Sequence, residues 1–130
     1  MNYVVLVGRI FYSLIFIMSS FSHFSEKTIN YALAQGVPLA SIAVPLSGVM
    51  ALLGGLSIAL GYKARWGACL LVLFLVPVTI MMHNFWAAKD PITAQMQQAM
   101  FMKNFALLGA ALLLSQFGSG PLSLDSRKIG

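Results

Sequence analysis

The sequence is short of charge. Eight of its 130 residues are Lys or Arg and three are Asp or Glu, about a third of the share that a soluble domain carries. Too few charges remain to clothe a water-facing surface. Cysteine is scarcer still. Cys69 stands alone, which excludes a secreted disulfide scaffold and any dithiol exchange within one chain. The basic residues are scattered rather than clustered among aromatics, so a net charge of +5 does not make a nucleic-acid surface. Disorder is excluded by the opposite excess: 59% of the residues are apolar and the mean hydropathy is +0.86. What is present in quantity is surface for lipid.

A span needs roughly 20 mostly apolar residues. Four runs meet that length: residues 3–24, 39–61, 66–86 and 99–117. Continuous apolar runs point to helices, because backbone groups inside lipid must bond within their own segment. Alternating short strands of a barrel are not seen. The fold class is therefore all-α, a four-helix transmembrane bundle running up-down-up-down. It forms one domain over residues 1–130, with residues 118–130 as a cytoplasmic tail that is polar and exposed from Leu122. The first run reads as a retained helix rather than a cleaved leader, since it is long, contains Arg9 and is followed by no small-x-small site.

Basic residues in short loops set the orientation. Lys63, Arg65, Arg127 and Lys128 fall on one side; Lys27 and Lys89 fall on the other, each beside an acid. Both termini are thus expected in the cytoplasm. In the first outer loop Ser25 can cap a short helix that Gly36 and Pro38 stop, with Ile29, Ala32 and Leu33 on one face. This predicts an amphipathic helix at the membrane surface. The second outer loop, residues 84–98, is expected to be a short turn leading into the fourth helix. Ser47, Ala51, Gly55 and Ala59 recur every four residues and form a stripe for close helix approach, within the chain or in a homo-oligomer.

Ionisable residues at membrane depth usually face the bundle and carry a role. Arg9, Ser13, Ser20, His23 and Lys27 fall within about 80° of one another on a helical wheel. His83, Asn84 and Trp86 end the third span, and Lys103 and Asn104 lie about a turn inside the fourth. The alanines at 99, 106 and 110 favour an inward Lys103. The expectation is one outer-side polar pocket with His83 and Lys103 as its catalytic groups. Arg9, His23, Asn84, Trp86 and Asn104 would assist in ligand binding. A histidine exchanges protons near neutral pH, a lysine and two amides can polarise a carbonyl, and Trp86, Phe85, Phe21 and Phe24 can hold a flat ring. These are the parts of a pocket for a quinone or a lipid head group. Two histidines near one end, with one glutamate nearby, speak against metal or haem.

The order of several motifs resembles the DoxX family of small bacterial membrane proteins. They are Arg9 to Phe24, Gly36-Val37-Pro38, Gly54-Gly55, and Leu60-Gly61-Tyr62-Lys63-Ala64-Arg65. His83-Asn84-Phe85-Trp86, the stretch from Phe101 to Gly109 and the segment from Gly118 to Asp125 follow. The family often has a lysine near the end of the first helix; here His23 stands there and Lys27 follows one turn later. The resemblance implies a multi-pass protein of the bacterial inner (plasma) membrane and an association with quinol oxidation or thiosulfate:quinone oxidoreduction. The function expected is a subunit or anchor of a membrane redox system, with quinone as ligand. Its expected partners are membrane lipid, a redox protein and further copies of itself, without nucleic acid. The alternative is a non-enzymatic transporter of small molecules or lipids, or an assembly scaffold.

Overall fold

Three kinds of local signal set the element boundaries: hydroxyl or carboxylate caps at helix starts, left-handed residues at turns, and proline. The computed structural model describes residues 2–127 and the side chains of residues 3–125. Helix α1 spans Asn2–Ser20 and tightens into a 3-10 turn over Phe21–Phe24. Helix α2, Glu26–Ala34, starts where the Ser25 hydroxyl accepts from Thr28 N and stops before Gly36, whose φ is +85°. Helix α3 covers Ala40–Leu60 and ends on Gly61, also left-handed. Helix α4 covers Ala64–Met82, α5 covers Pro91–Phe117 and a final turn, α6, covers Leu124–Arg127.

Four stretches are long and apolar enough to cross a membrane: Tyr3–Phe24, Ala40–Leu60, Ala64–Ala87 and Pro91–Phe117. The fourth begins eight residues before the expected start at residue 99. Asp90 accepts from Thr93 N and Pro91 occupies the first turn, a pairing that starts helices because both tolerate its unbonded N–H groups. At 27 residues α5 is about 40 Å long, longer than a hydrocarbon core of about 30 Å.

Neighbours in sequence are neighbours in space: α1 packs on α3, α3 on α4, and α4 on α5. The α1–α3 seam has a seven-residue period. A Cβ on Gly48 would lie 3.1 Å from Ser20 O, and one on Gly55 would lie 3.3 Å from Ser13 O. Serine on one helix thus faces glycine on the other, and the backbones close up. The serine hydroxyls turn back onto their own helix, Ser13 to Arg9 O and Ser20 to Ile17 O. Gly54 does the same for α4, under the side chain of Leu71. Of the small-residue stripe of α3, Ala51 and Gly55 are buried within the chain. Tyr12 ties α1 to α5 by donating to Leu107 O at 2.6 Å. Phe16, Ile58, Leu71, Phe74 and Leu75 fill the centre. Most other large apolar side chains face outward, as lipid contact requires.

The expected short helix of the first outer loop is present as α2: Ala32 and Ile29 pack on Ala40, Val44, Val37 and Met82, while Leu33, expected on the same face, turns outward. The tail expected to be exposed from Leu122 is corrected in part: Ser123 is buried, as is Ser119 before it, and Asp125 N donates to Gly61 O. Lys128 and the side chain of Arg127, counted above in the basic tail, lie outside the described residues.

Candidate functional site

The polar residues of the spans gather at two ends of the bundle. At the first, Arg9 is 3% exposed and donates to Pro121 O and Leu122 O of the return segment. Gly61 makes room for it, since a Cβ there would overlap Arg9 Nη1 and Ser123 Cβ. The Asp125 carboxylate accepts from Lys63 N, Ala64 N and Ser119 Oγ, and so caps the start of α4. Arg9 is thus a clamp on the chain's own backbone, far from the histidines, and not part of a ligand pocket with them.

At the other end a cavity of about 350 Å³ opens between α2, α3 and α4. His23 and His83 both line it, with Thr28 and Ser47. Its remaining walls are Ala32, Val37, Pro38, Ala43, Val44, Pro77, Val78, Met81 and Met82. Each element has a local reason for its place. Gly48 lets the 3-10 turn come down onto α3, where its Cβ would press on His23 Cβ. Helix α4 ends at Met82, so His83 leaves the helix with φ −122°, six residues after Pro77.

The hydrogen bonds fix the imidazoles. Ser47 Oγ donates to Val44 O at 2.6 Å, which uses its one proton, so at 2.8 Å it accepts from His23 Nδ1. His83 Nδ1 lies 2.8 Å from Gln97 Oε1, an acceptor, while Gln97 Nε2 donates to Tyr31 OH. Both rings therefore carry their proton on Nδ1 when neutral and keep Nε2 as an acceptor. The chain His83–Gln97–Tyr31 links the end of α4 to α5 and α2.

The other expected members do not join them. Lys103 is exposed, with Nζ 3.7 Å from Met100 Sδ. Ala99 and Ala106 are exposed on the same helix, so the alanine face looks outward and takes the lysine with it. Asn104 is buried, away from the cavity lining. Asn84 is half-buried and Trp86 is exposed, and neither lines the cavity. Trp86 packs edge-on to Phe85 and Phe101. Phe21 and Phe24 also face outward. Among the described residues no three His, Cys, Asp or Glu come together as a metal set.

Sequence reasoning missed Ser47 as a histidine partner, and missed Gln97 and Tyr31 altogether. The missed signal is Asp90-Pro91. With α5 begun there, Gln97 becomes a helical residue level with His83 rather than part of a loop.

The arrangement is that of a small polytopic protein with a polar-tipped apolar cavity near one end of the bundle. The DoxX family model matches residues 4–84, and the chain belongs to that family. It is 31% identical to the inner membrane protein YphA of Escherichia coli over 126 residues, 95% of this chain and 89% of that protein. It is also 31% identical to the E. coli inner membrane protein YqjF over 123 residues, 93% of this chain and 88% of that one. A third relative is the ER-derived vesicles protein ERV29 of Saccharomyces cerevisiae, 29% identical over 80 residues, 62% of this chain and 26% of that protein. No solved structure matches the chain. Kinship and four spanning helices together make this a multi-pass protein of the inner membrane.

Proposed function

We propose that the chain binds a quinone, or a lipid with a similar ring, in the cavity between α2, α3 and α4, as the membrane subunit or anchor of a redox system. One observation carries this reading: two imidazoles, each committed through Nδ1 to a neighbouring side chain, line the same apolar cavity. Its volume falls in the range of small-molecule sites. The walls suit a ring and an isoprenoid chain, and the polar tips suit oxygen substituents. Neutral His23 and His83 accept from a ring hydroxyl through Nε2; protonated, they donate to a ring carbonyl. His83, held by Gln97, is the proton-exchanging group, and His23 orients the ring. A bound quinone would supply two-electron chemistry, with the electrons coming from a partner redox protein. The cavity end faces the outside and the basic end the cytoplasm, following the loop charges.

Purified protein in lipid nanodiscs, titrated with a short-chain quinone, tests this directly. Saturable binding is expected, weakened about tenfold by His83→Phe or His23→Phe, the equivalent of one lost hydrogen bond to a polar group. Binding that is absent, or unchanged in both variants, overturns the reading. In the alternative of a transport path along the polar stripe of α1, Ser20 and Ser13 lie against Gly48 and Gly55 of α3 and His23 lines the cavity.

A further inference from the structure

A second cleft lies at the opposite end from the imidazoles, where the turn between α3 and α4 meets the segment after α5. It measures about 530 Å³. Lys63 and Arg65 line it, and both are exposed. Trp66 and Phe117 stand at its rim, 76% and 77% exposed, each at the end of a spanning helix. An indole at that level sits where lipid head groups meet acyl chains. Gly118 keeps the space beside the guanidinium open: its φ is +76°, and a Cβ there would come within 3.1 Å of Arg65 Nε. Among the described residues Asp125 is the one carboxylate in the lining. Its oxygens accept from Lys63 N, Ala64 N and Ser119 Oγ, which turns it towards the turn's backbone. Two cations therefore share the cleft with one carboxylate, leaving a net positive site between two exposed aromatic rings.

We propose that this cleft seats the phosphate of an anionic phospholipid, with Lys63 and Arg65 as its cations and Trp66 and Phe117 against the lipid's glycerol and upper acyl chains. The source is a membrane lipid rather than free phosphate because both aromatic rims lie at helix ends that border the bilayer, so a ligand with a phosphate and chains satisfies the whole cleft. Unlike generic attraction to an anionic surface, the site requires this geometry, and it does not rest on the quinone reading.

The test is thermal unfolding of the full chain in neutral detergent with added phosphatidylglycerol, phosphatidylcholine or inorganic phosphate. Phosphatidylglycerol is expected to raise the midpoint by roughly 5 °C at saturation, with phosphatidylcholine and inorganic phosphate giving little. The double variant Lys63→Gln/Arg65→Gln is expected to lose that response, while Lys27→Gln/Lys89→Gln, with the same charge change elsewhere, keeps it. Arg65→Gln alone, at an exposed site, is expected to halve the response and serves if the double variant does not fold. Equal shifts with both lipids, an equal shift with inorganic phosphate, or equal losses in the two double variants each overturn the proposal.

Discussion

The two ends of the bundle treat polarity in opposite ways. At the Arg9 end, charge is spent on the chain itself: a guanidinium on two carbonyls, a carboxylate on two backbone N–H groups. At the histidine end, polar side chains hold one another and border empty space. A buried group whose partners are backbone serves stability, because removing it strands those partners. A pair of oriented rings beside a cavity is, in the proposed function, there for a ligand. Substitutions at the two ends should therefore separate stability from binding.

The largest effect is expected from Arg9→Ala, which leaves the return segment at Pro121 and Leu122 unanchored. A loss of about 2–3 kcal/mol is expected, read as a lower unfolding midpoint and faster proteolysis after Phe117. Gly61→Ala comes next. The backbone there is left-handed and the new methyl meets Ser123 and Arg9, so about 1–2 kcal/mol should go with binding at the histidine end unchanged. The comparison is sharpened by Ala43→Phe, which puts a ring into the cavity from a half-buried wall. Quinone binding should fall by more than tenfold while the unfolding free energy stays within about 1 kcal/mol of wild type. Loss of stability without loss of binding would reverse the assignment of the two ends.

Smaller effects lie outside both ends. Hydrogen bonds from the Thr93 side chain and backbone hold the Asp90 carboxyl below its usual range. A depressed value means the cap contributes fully above the unfolded-state value near 4 and is lost as pH falls through the lower folded one. Asp90→Asn should flatten that acid dependence slightly, in unfolding curves taken from neutral pH downward. Lys103→Gln is expected to change neither binding nor pH response, since the side chain faces outward. A binding loss there would place Lys103 back with the histidines.

How much of this was legible in the sequence follows from range. The spans, the Ser25 cap and the Gly61 turn are local signals, and each was readable within a few residues. That His23 and His83 share a cavity was accessible from depth alone, since both end a span on the same side. The facing of α5 was not. Its apolar pattern runs nearly all round the helix, so alanine spacing does not define an inner side, and Lys103 faces outward rather than inward. The fate of Arg9 was hidden for a different reason. Its partners are carbonyls more than a hundred residues away, and a carbonyl has no letter in the sequence. Snorkelling to water and clamping a distant loop look identical there.

One consequence concerns biogenesis. The carboxylate that completes the start of α4 belongs to residue 125, so α4 enters the bilayer with those N–H groups still seeking an acceptor. Arg9, made before α3, α4 and α5, waits in the same condition for Pro121 and Leu122. Assembly is thus sealed by a stretch made after all four spans, and a ribosome stalled short of that stretch would leave four inserted helices with an open seam.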